Sequence, residues 1–114
     1  MIWKTKEQKN YIPVIVEKLK GLNPYKIILF GSYAFDEPKV DSDIDLIVVL
    51  DSKKKSKNFA ERSENYLRVR RRLRDIERKI PIDLLVYTKP EFDAFIQIGS
   101  MFSKKILKEG KEIL

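Results

Sequence analysis

The run from Ile44 to Leu50 constrains the fold more than any other part of the sequence. It reads Ile-Asp-Leu-Ile-Val-Val-Leu, so every position except Asp45 is apolar. Successive side chains of a β-strand point to opposite faces of the sheet, and a strand that is apolar on both faces needs cover on both. The sequence therefore predicts a central strand over residues 44–50 with both of its faces covered.

Apolar runs and turn residues predict further strands and helices around this strand. The chain has 114 residues, 43% of them apolar, which is enough for one hydrophobic core. The order helix, strand, helix, strand, long helix, strand, helices predicts a single α/β (α+β) domain over residues 1–114, with a small mixed β-sheet flanked by helices. The predicted strands, besides the central one, are Lys26–Phe30 and Ile82–Tyr87. The predicted helices are one with apolar residues at helical spacing from Ile12 to Leu22, one long helix from Phe59 to Lys79, one capped at Thr88, and a last helix that ends at Gly110. In the long helix, the residues predicted to face inward are Phe59, Tyr66, Leu67, Leu73 and Ile76.

The absence of cysteine and histidine excludes several kinds of chemistry. Without Cys there are no disulfides, thiolate zinc sites or cysteine nucleophiles. Without His there is no Ser-His-Asp triad, no histidine-ligated zinc and no imidazole acid–base catalysis. Any metal ion must be held by oxygen atoms, which selects Mg²⁺, Mn²⁺ or Ca²⁺.

The apolar segments are all too short for a membrane. None approaches the ~20 residues that cross a bilayer, and the N-terminus lacks the long apolar segment of a secretory signal. We expect a cytoplasmic protein with no membrane partner.

The net charge of +7 is concentrated in one segment. Residues 51–80 contain 12 Lys or Arg against 5 Asp or Glu, whereas the rest of the chain has 12 of each. A solvated helix face, partly neutralised by acidic residues, explains this about as well as a binding surface does. Tyr66 is the only ring nearby, which argues against base stacking on nucleic acid. We therefore favour a protein partner if the segment is functional.

Three aspartates occupy equivalent places near the start of two apolar strands. Asp43 and Asp45 are separated by one residue at the entrance to the predicted central strand, so their carboxylates point to the same face. Asp83 has the same early position in the strand that follows Pro81. If the two strands are neighbours, three carboxylates converge at one end of the sheet.

Such a cluster needs a compensating positive charge. Close carboxylates repel each other, and a divalent cation relieves that repulsion. Carboxylates that hold two metal ions suit in-line displacement at phosphorus, where the metals activate the attacking oxygen and stabilise the leaving pyrophosphate. A single Asp at a strand start is better explained as a cap, but three in matched context favour a catalytic metal site at Asp43, Asp45 and Asp83. A calcium loop is unsupported, since no Asp/Asn loop with a Gly turn and a terminal Glu is present.

Gly31-Ser32 follows the first buried strand and could open a short helix. Glycine allows a tight turn and close approach of a ligand, and a helix N-terminus favours a phosphate. An ordinary turn explains the pair equally well when it is taken alone. Its distance from the aspartates is what makes Gly31 and Ser32 candidates for nucleotide binding.

Together, Gly31-Ser32, ten intervening residues and Asp43-Ile44-Asp45-Leu46 resemble the signature of the DNA polymerase beta nucleotidyltransferase superfamily. The chain length is similar to that of its shortest branch, the minimal nucleotidyltransferases. The resemblance extends from Ile27 to the end of the chain. It includes Asp83, in a strand after a long helix, and the closing Ile106-Leu107-Lys108-Glu109-Gly110.

The resemblance implies a polymerase-beta-type fold and transfer of AMP from ATP to an acceptor hydroxyl. It implies that Asp43 and Asp45 bind two Mg²⁺ ions, with Mn²⁺ as an alternative, and that Asp83 binds one ion and helps deprotonate the acceptor. Gly31 and Ser32 would hold the β- and γ-phosphates. Many minimal nucleotidyltransferases resemble antitoxins that pair with a HEPN-domain protein, often a ribonuclease toxin, and some adenylylate it. The resemblance thus implies such a partner with a tyrosine as acceptor, whereas other relatives modify aminoglycosides.

One departure from the family pattern leaves a second interpretation open. The family commonly has Arg-Gly where this chain has Phe35-Asp36. A missing arginine would weaken triphosphate binding, so the chain could instead be a catalytically weak or inactive antitoxin that acts by binding its partner. Nucleic-acid binding by the basic segment is a third and less favoured interpretation. The short chain also suggests an oligomer or complex in which another chain supplies part of the acceptor surface.

Overall fold

The computed structural model describes residues 11–31 and 43–114, and its framework is a four-stranded sheet. The strands are β1 (Pro24–Phe30), β2 (Ile44–Leu50), β3 (Ile82–Thr88) and β4 (Lys111–Glu112). The helices are α1 (Tyr11–Leu19), followed by a 3₁₀ turn (Lys20–Leu22), α2 (Phe59–Arg72), α3 (Arg74–Glu77), α4 (Lys89–Ile98) and α5 (Met101–Glu109).

The sheet is mixed, with the strand order β3-β2-β1-β4. β2 pairs antiparallel with β1 and parallel with β3, and β1 pairs antiparallel with β4. All residues of β2 are buried except Asp45. The predicted central strand and the predicted mixed sheet flanked by helices are both confirmed.

Two apolar layers cover the two faces of the sheet. Ile44, Leu46 and Val48 face one layer, in which residues of α1, α2 and α3 are packed. Ile47 and Val49 face the other layer, which α4 and α5 supply. Because strand residues alternate between faces, Asp45 belongs to the α4/α5 face.

The predicted long helix is interrupted, which corrects the sequence-based expectation of one helix from Phe59 to Lys79. α2 ends at Arg72, and Leu73 adopts φ −101° and ψ 4° before the short α3 begins. The N–H of Leu73 donates to the carbonyl oxygen of Arg70, three residues back, so the α-helical pattern stops there. Leu73 and Ile76, on the two sides of this interruption, are both buried in the core.

The inward face predicted for this helix was only partly right. Leu73 and Ile76 are buried and Tyr66 packs against the core, as predicted. Phe59 and Leu67 are exposed instead, and Val69 is fully buried. The sequence contains too many arginines around these residues for a simple apolar stripe to identify the buried side.

The start of α4 and the end of the chain are tied to the sheet. α4 begins after Thr88 as predicted, and the N–H of Thr88 donates to the Glu91 carboxylate at 2.9 Å. β4 was not predicted. It pairs with β1 opposite Ile28, and Glu112 forms a 2.9 Å ion pair with Lys26.

Candidate active site

The structure brings Asp45 and Asp83 together at one end of the sheet. β2 and β3 run parallel, and Asp45 pairs directly with Asp83 in their register. Paired residues on neighbouring strands point to the same face, and the strands lie about 4.8 Å apart. Both carboxylates therefore lie on the α4/α5 face of the sheet.

Asp43 lies immediately before β2, and its side chain is exposed. The N–H of Ile44 donates to the carbonyl oxygen of Pro81 at 3.0 Å, which fixes how the starts of β2 and β3 meet. Ile44 is fully buried on the opposite face of the sheet. The local sequence thus anchors the apolar residues in the core and leaves the aspartates at the open end.

The three aspartates are electrostatically coupled. Burial, followed by repulsion from Asp83 and then from Asp43, raises the pKa of Asp45 from about 3.8 to about 6. Burial and two negative neighbours both disfavour the ionised form. This carboxylate therefore gains from any cation that approaches the patch.

Asp43, Asp45 and Asp83 fit a divalent metal ion, to which they would supply part of the ligands. Within residues 11–31 and 43–114, no three acidic side chains are already arranged around one ion position. Mg²⁺, however, is usually held by one or two carboxylates together with water and phosphate oxygens. Asp45 and Asp83, with Asp43 beside them, provide oxygen donors of this kind, and burial together with repulsion from the other two carboxylates disfavours the ionised form of Asp45 in the absence of a cation.

Gly31 follows β1 directly and packs against Asp45. Its φ of +72° is in the left-handed region, and a Cβ atom added there would collide with the Asp45 carboxylate. Glycine is therefore required at this position both by the backbone and by the neighbouring aspartate. Ser32, the other residue predicted to bind nucleotide, lies outside the described residues, as do Phe35 and Asp36.

A cleft of about 340 Å³ opens beside Asp45 and Asp83. The sheet forms one wall, and the other comes from one face of α5, where residues at positions i, i+3, i+4 and i+7 line up. The rings of Phe30 and Phe102 meet edge to face across it, with centroids 5.7 Å apart. The lining residues are Phe30, Gly31, Asp45, Asp83, Phe102, Lys105, Ile106 and Glu109.

Lys105 and Glu109 are cleft residues that the sequence analysis missed. Lys105 adds a cation beside the aspartates. One carboxylate oxygen of Glu109 is buried and has no hydrogen-bond partner in the part of the chain that the structure describes. The helical spacing of Phe102, Lys105 and Glu109 was readable from the sequence, but nothing in it indicated that this face of α5 would lie over the aspartates.

The arginine-rich part of α2 and α3 lies away from this cleft, because these helices cover the opposite face of the sheet. Several arginines there are paired with acidic residues. Arg70 contacts Glu77 at 3.5 Å, and the Arg70 guanidinium also donates to the Tyr66 hydroxyl at 2.9 Å. Arg71 contacts Glu64 at 3.5 Å. The basic surface is therefore not part of the aspartate site.

Helices of the described ranges are all too short or too polar to cross a lipid bilayer.

Comparison with known proteins identifies a family and a similar fold. A family model described as a nucleotidyltransferase domain matches residues 12–113. The crystal structure of a toxin–antitoxin with AMP-PNP is similar in fold, with a TM-score of 0.57 and 20% identical residues, over 90% of this chain and 72% of that chain. No curated protein sequence matches this chain significantly.

Proposed function

We propose that this chain, which belongs to the nucleotidyltransferase domain family, transfers a nucleoside monophosphate from a nucleoside triphosphate to an acceptor hydroxyl. The observation that carries the proposal is the register pair Asp45–Asp83, which opens onto a cleft beside the Gly31 turn. Family membership supports the class of reaction, and the geometry of this site supports the residues that we assign to it.

In this proposal Asp43, Asp45 and Asp83 hold Mg²⁺, two ions in all, with Mn²⁺ as the alternative. When bound, the metal offsets negative charge on the transferring phosphoryl group and on the departing pyrophosphate. The acceptor oxygen forms a bond to the α-phosphorus, and the bond from that phosphorus to pyrophosphate breaks. The hydroxyl proton passes to a carboxylate oxygen of Asp83, which is the more exposed member of the Asp45–Asp83 pair.

Gly31 and Ser32 bind the β- and γ-phosphates in this proposal. The turn at Gly31 supports this assignment because its backbone lies directly against the Asp45 carboxylate, where a metal ion and the triphosphate would meet. We assign Lys105 to the same triphosphate, since it is a cation that lines the cleft together with Asp45 and Asp83. This lysine could supply charge that the family commonly takes from the arginine replaced here by Phe35-Asp36.

We propose ATP as the donor, AMP as the transferred group, and a HEPN-domain partner as the acceptor in a cytoplasmic toxin–antitoxin pair. The toxin–antitoxin structure of similar fold was solved with an ATP analogue, which supports a nucleotide and a partner protein. Phe35-Asp36 favours the second candidate, an antitoxin with weak or no activity that acts by binding. Nucleic acid is less favoured, because the basic surface lies across the sheet from the aspartate cleft.

The test is incubation with ATP labelled on the α-phosphate, Mg²⁺ and the protein product of the adjacent gene. We expect label on the partner and release of pyrophosphate. Asp45→Asn and Asp83→Asn should each reduce transfer at least 100-fold, whereas Asp93→Asn, an exposed carboxylate on α4, should leave it unchanged. Equal transfer by all these variants would remove the assignment.

Two further measurements separate the candidates. Lys105→Met should raise KM for ATP about tenfold, the value of one interaction of about 1.4 kcal/mol. Calorimetry of the chain with ATP and Mg²⁺ tests nucleotide binding independently of the acceptor. A partner that binds tightly, with neither ATP binding nor label transfer, would establish the antitoxin that acts by contact alone.

A further inference from the structure

Within residues 11–31 and 43–114, the outer edge of β3 is unpaired. β3 is the last strand of the sheet on its side, and no other strand of the described ranges pairs with its outer edge. The bond from the Ile44 N–H to the Pro81 carbonyl fixes which residues of β3 face β2. In a parallel ladder the residues two apart from Pro81 share its direction, so Asp83 and Leu85 bond toward β2. The backbone groups of Ile82, Leu84 and Val86 therefore point outward.

This edge lies at the bottom of an apolar groove between α2 and α4. Two hollows of about 550 and 420 Å³ meet along the edge and share Arg62, Val86 and Tyr87. The side chains of an added strand would alternate between the two hollows, because strand residues alternate between faces. The first hollow is further lined by Phe59, Ser63, Tyr66, Leu67, Leu84 and Leu85, and the second by Lys55, Ser56, Glu91, Ala94, Phe95 and Ile98.

Large apolar side chains stand exposed along this groove. Phe59, at the start of α2, is 81% exposed, and Ile98, at the end of α4, is 75% exposed. Leu67 adds a third exposed apolar side chain in the first hollow. Exposed apolar surface that continues into hollows beside an open strand edge is typical of a binding site for an extended chain.

The charge of the groove indicates what kind of chain fits. Arg62, Lys55 and Glu91 are its charged lining residues, and the Glu91 carboxylate is already hydrogen-bonded to the N–H groups of Ser56 and Thr88. Neither Arg62 nor Lys55 has a carboxylate within 4 Å among residues 11–31 and 43–114. The segment 51–80 that supplies both cations carries 12 basic residues against 5 acidic ones. An occupant with acidic residues would be attracted, whereas a second copy paired through β3 would bring two such basic segments together.

We propose that an extended segment of a partner protein, with apolar residues at the centre and acidic residues at its ends, binds this groove as a fifth strand beside β3. Its backbone would pair with Ile82, Leu84 and Val86, its apolar side chains would enter the two hollows, and its acidic residues would contact Arg62 and Lys55. This site is separate from nucleotidyl transfer and does not depend on it.

The probe for this site is a fluorescent nine-residue synthetic peptide with valine and isoleucine at its centre and two glutamates at each end. We expect saturable binding by anisotropy. The same peptide with lysine ends should bind at least tenfold more weakly, because the charge is reversed. The peptide with N-methyl groups at alternate central positions should not bind, because it cannot pair with a strand edge. Equal binding of all three peptides would overturn the proposal.

Variants of the chain separate the groove from general charge. Arg62→Glu should weaken binding of the acidic peptide at least tenfold, whereas Arg68→Glu, on the same helix but outside the groove, should change it less than threefold. Asp45→Asn should bind the peptide like the wild type even if it has lost transfer activity, so the two proposals fail independently. Equal losses in the Arg62 and Arg68 variants would refute a specific role for the groove.

Amide hydrogen exchange locates the bound peptide. The amides of Leu84 and Val86 should exchange at least tenfold more slowly with the peptide, whereas that of Leu85, which already faces β2, should change little. Protection elsewhere with none at Leu84 and Val86 would overturn the strand pairing. A chain that sediments as a dimer, with the amides of Leu84 and Val86 already protected in the absence of the peptide, would assign the edge to a second copy instead.

Discussion

Replacing Asp45 with asparagine should make the metal-free protein more stable. Burial and the neighbouring Asp83 and Asp43 raise the pKa of Asp45 to about 6, so the folded chain carries an ionised group that it disfavours at neutral pH. A carboxyl pKa that rises from 3.8 to about 6 on folding corresponds to a loss of roughly 3 kcal/mol in the free energy of unfolding when solvent screening is neglected. Asp45 is only partly buried, and solvent screening reduces the effect to about 1 kcal/mol.

The gain in the free energy of unfolding should appear as a higher melting temperature. For a chain of 114 residues, about 1 kcal/mol corresponds to a rise of about 4 °C. The assay is calorimetric or circular-dichroism melting in EDTA at pH 7.5, with Asp93→Asn as the control for loss of an exposed charge. We expect the Asp45 variant to melt higher than the wild type and the Asp93 variant to melt within about 1 °C of it.

The dependence on pH gives a second, independent check. The folded pKa of Asp45 lies above its unfolded value, so the penalty is fully present above pH 6, where Asp45 is ionised in both states. It declines as the pH falls from about 6 toward 3.8 and the folded chain takes up a proton. The advantage of Asp45→Asn should therefore disappear near pH 4.

Divalent ions should reverse the order of the two proteins. Mg²⁺ at ten times its Kd would stabilise the wild type by about 1.4 kcal/mol, whereas the variant would gain little. A variant that melts lower than the wild type in EDTA, or whose advantage is the same at pH 4 and pH 7.5, would refute the reasoning from charge repulsion.

Two other substitutions test the surroundings of the site. Gly31→Ala should destabilise the fold by about 2 kcal/mol, because Gly31 has a positive φ and the new methyl group would collide with the Asp45 carboxylate. Chemical denaturation measures this loss, and a loss below about 0.5 kcal/mol would contradict the prediction. Burial alone would raise the pKa of Glu91, but hydrogen bonds from the Thr88 and Ser56 N–H groups outweigh it and lower that pKa. Glu91→Gln should therefore lower the free energy of unfolding by about 1 kcal/mol at pH 7. A lowered carboxyl pKa stabilises the fold only while the carboxylate is ionised, so the difference between the variant and the wild type should shrink as the pH falls and Glu91 becomes protonated. Melting curves at pH 7 and pH 3 check this, and the same difference at both pH values would refute a contribution from the Glu91 charge.

The sequence was most informative where apolar residues and turn signals agreed. The strand at Ile44–Leu50 could be predicted because its apolar residues demand cover on both faces, and its position set Asp45 near its entrance. The parallel strand with Asp83 followed the same logic. The pairing of Asp45 with Asp83 depends on β2 and β3 being neighbours, which the sequence analysis had to assume and the structure shows.

Other features depended on tertiary contacts that leave little trace in the sequence. The break at Leu73 lies among residues that are good helix formers, with no Gly or Pro to mark it, so the local sequence predicted one continuous helix. β4 has only two residues, both charged, and forms because β1 offers it an edge. Lys105 reaches the cleft through the position of α5 over the sheet, which no local pattern specified.

The location of Asp83 on the outermost strand has a consequence for the size of the molecule that could be modified. The cleft beside Asp45 holds about 340 Å³, which limits what can enter it. Asp83 is exposed near the start of β3, so a hydroxyl on a large molecule can reach its carboxylate at the open end of the sheet without passing through that space. Donor and acceptor could then approach from different sides, and we expect the acceptor to be as large as a folded protein without any widening of the cleft.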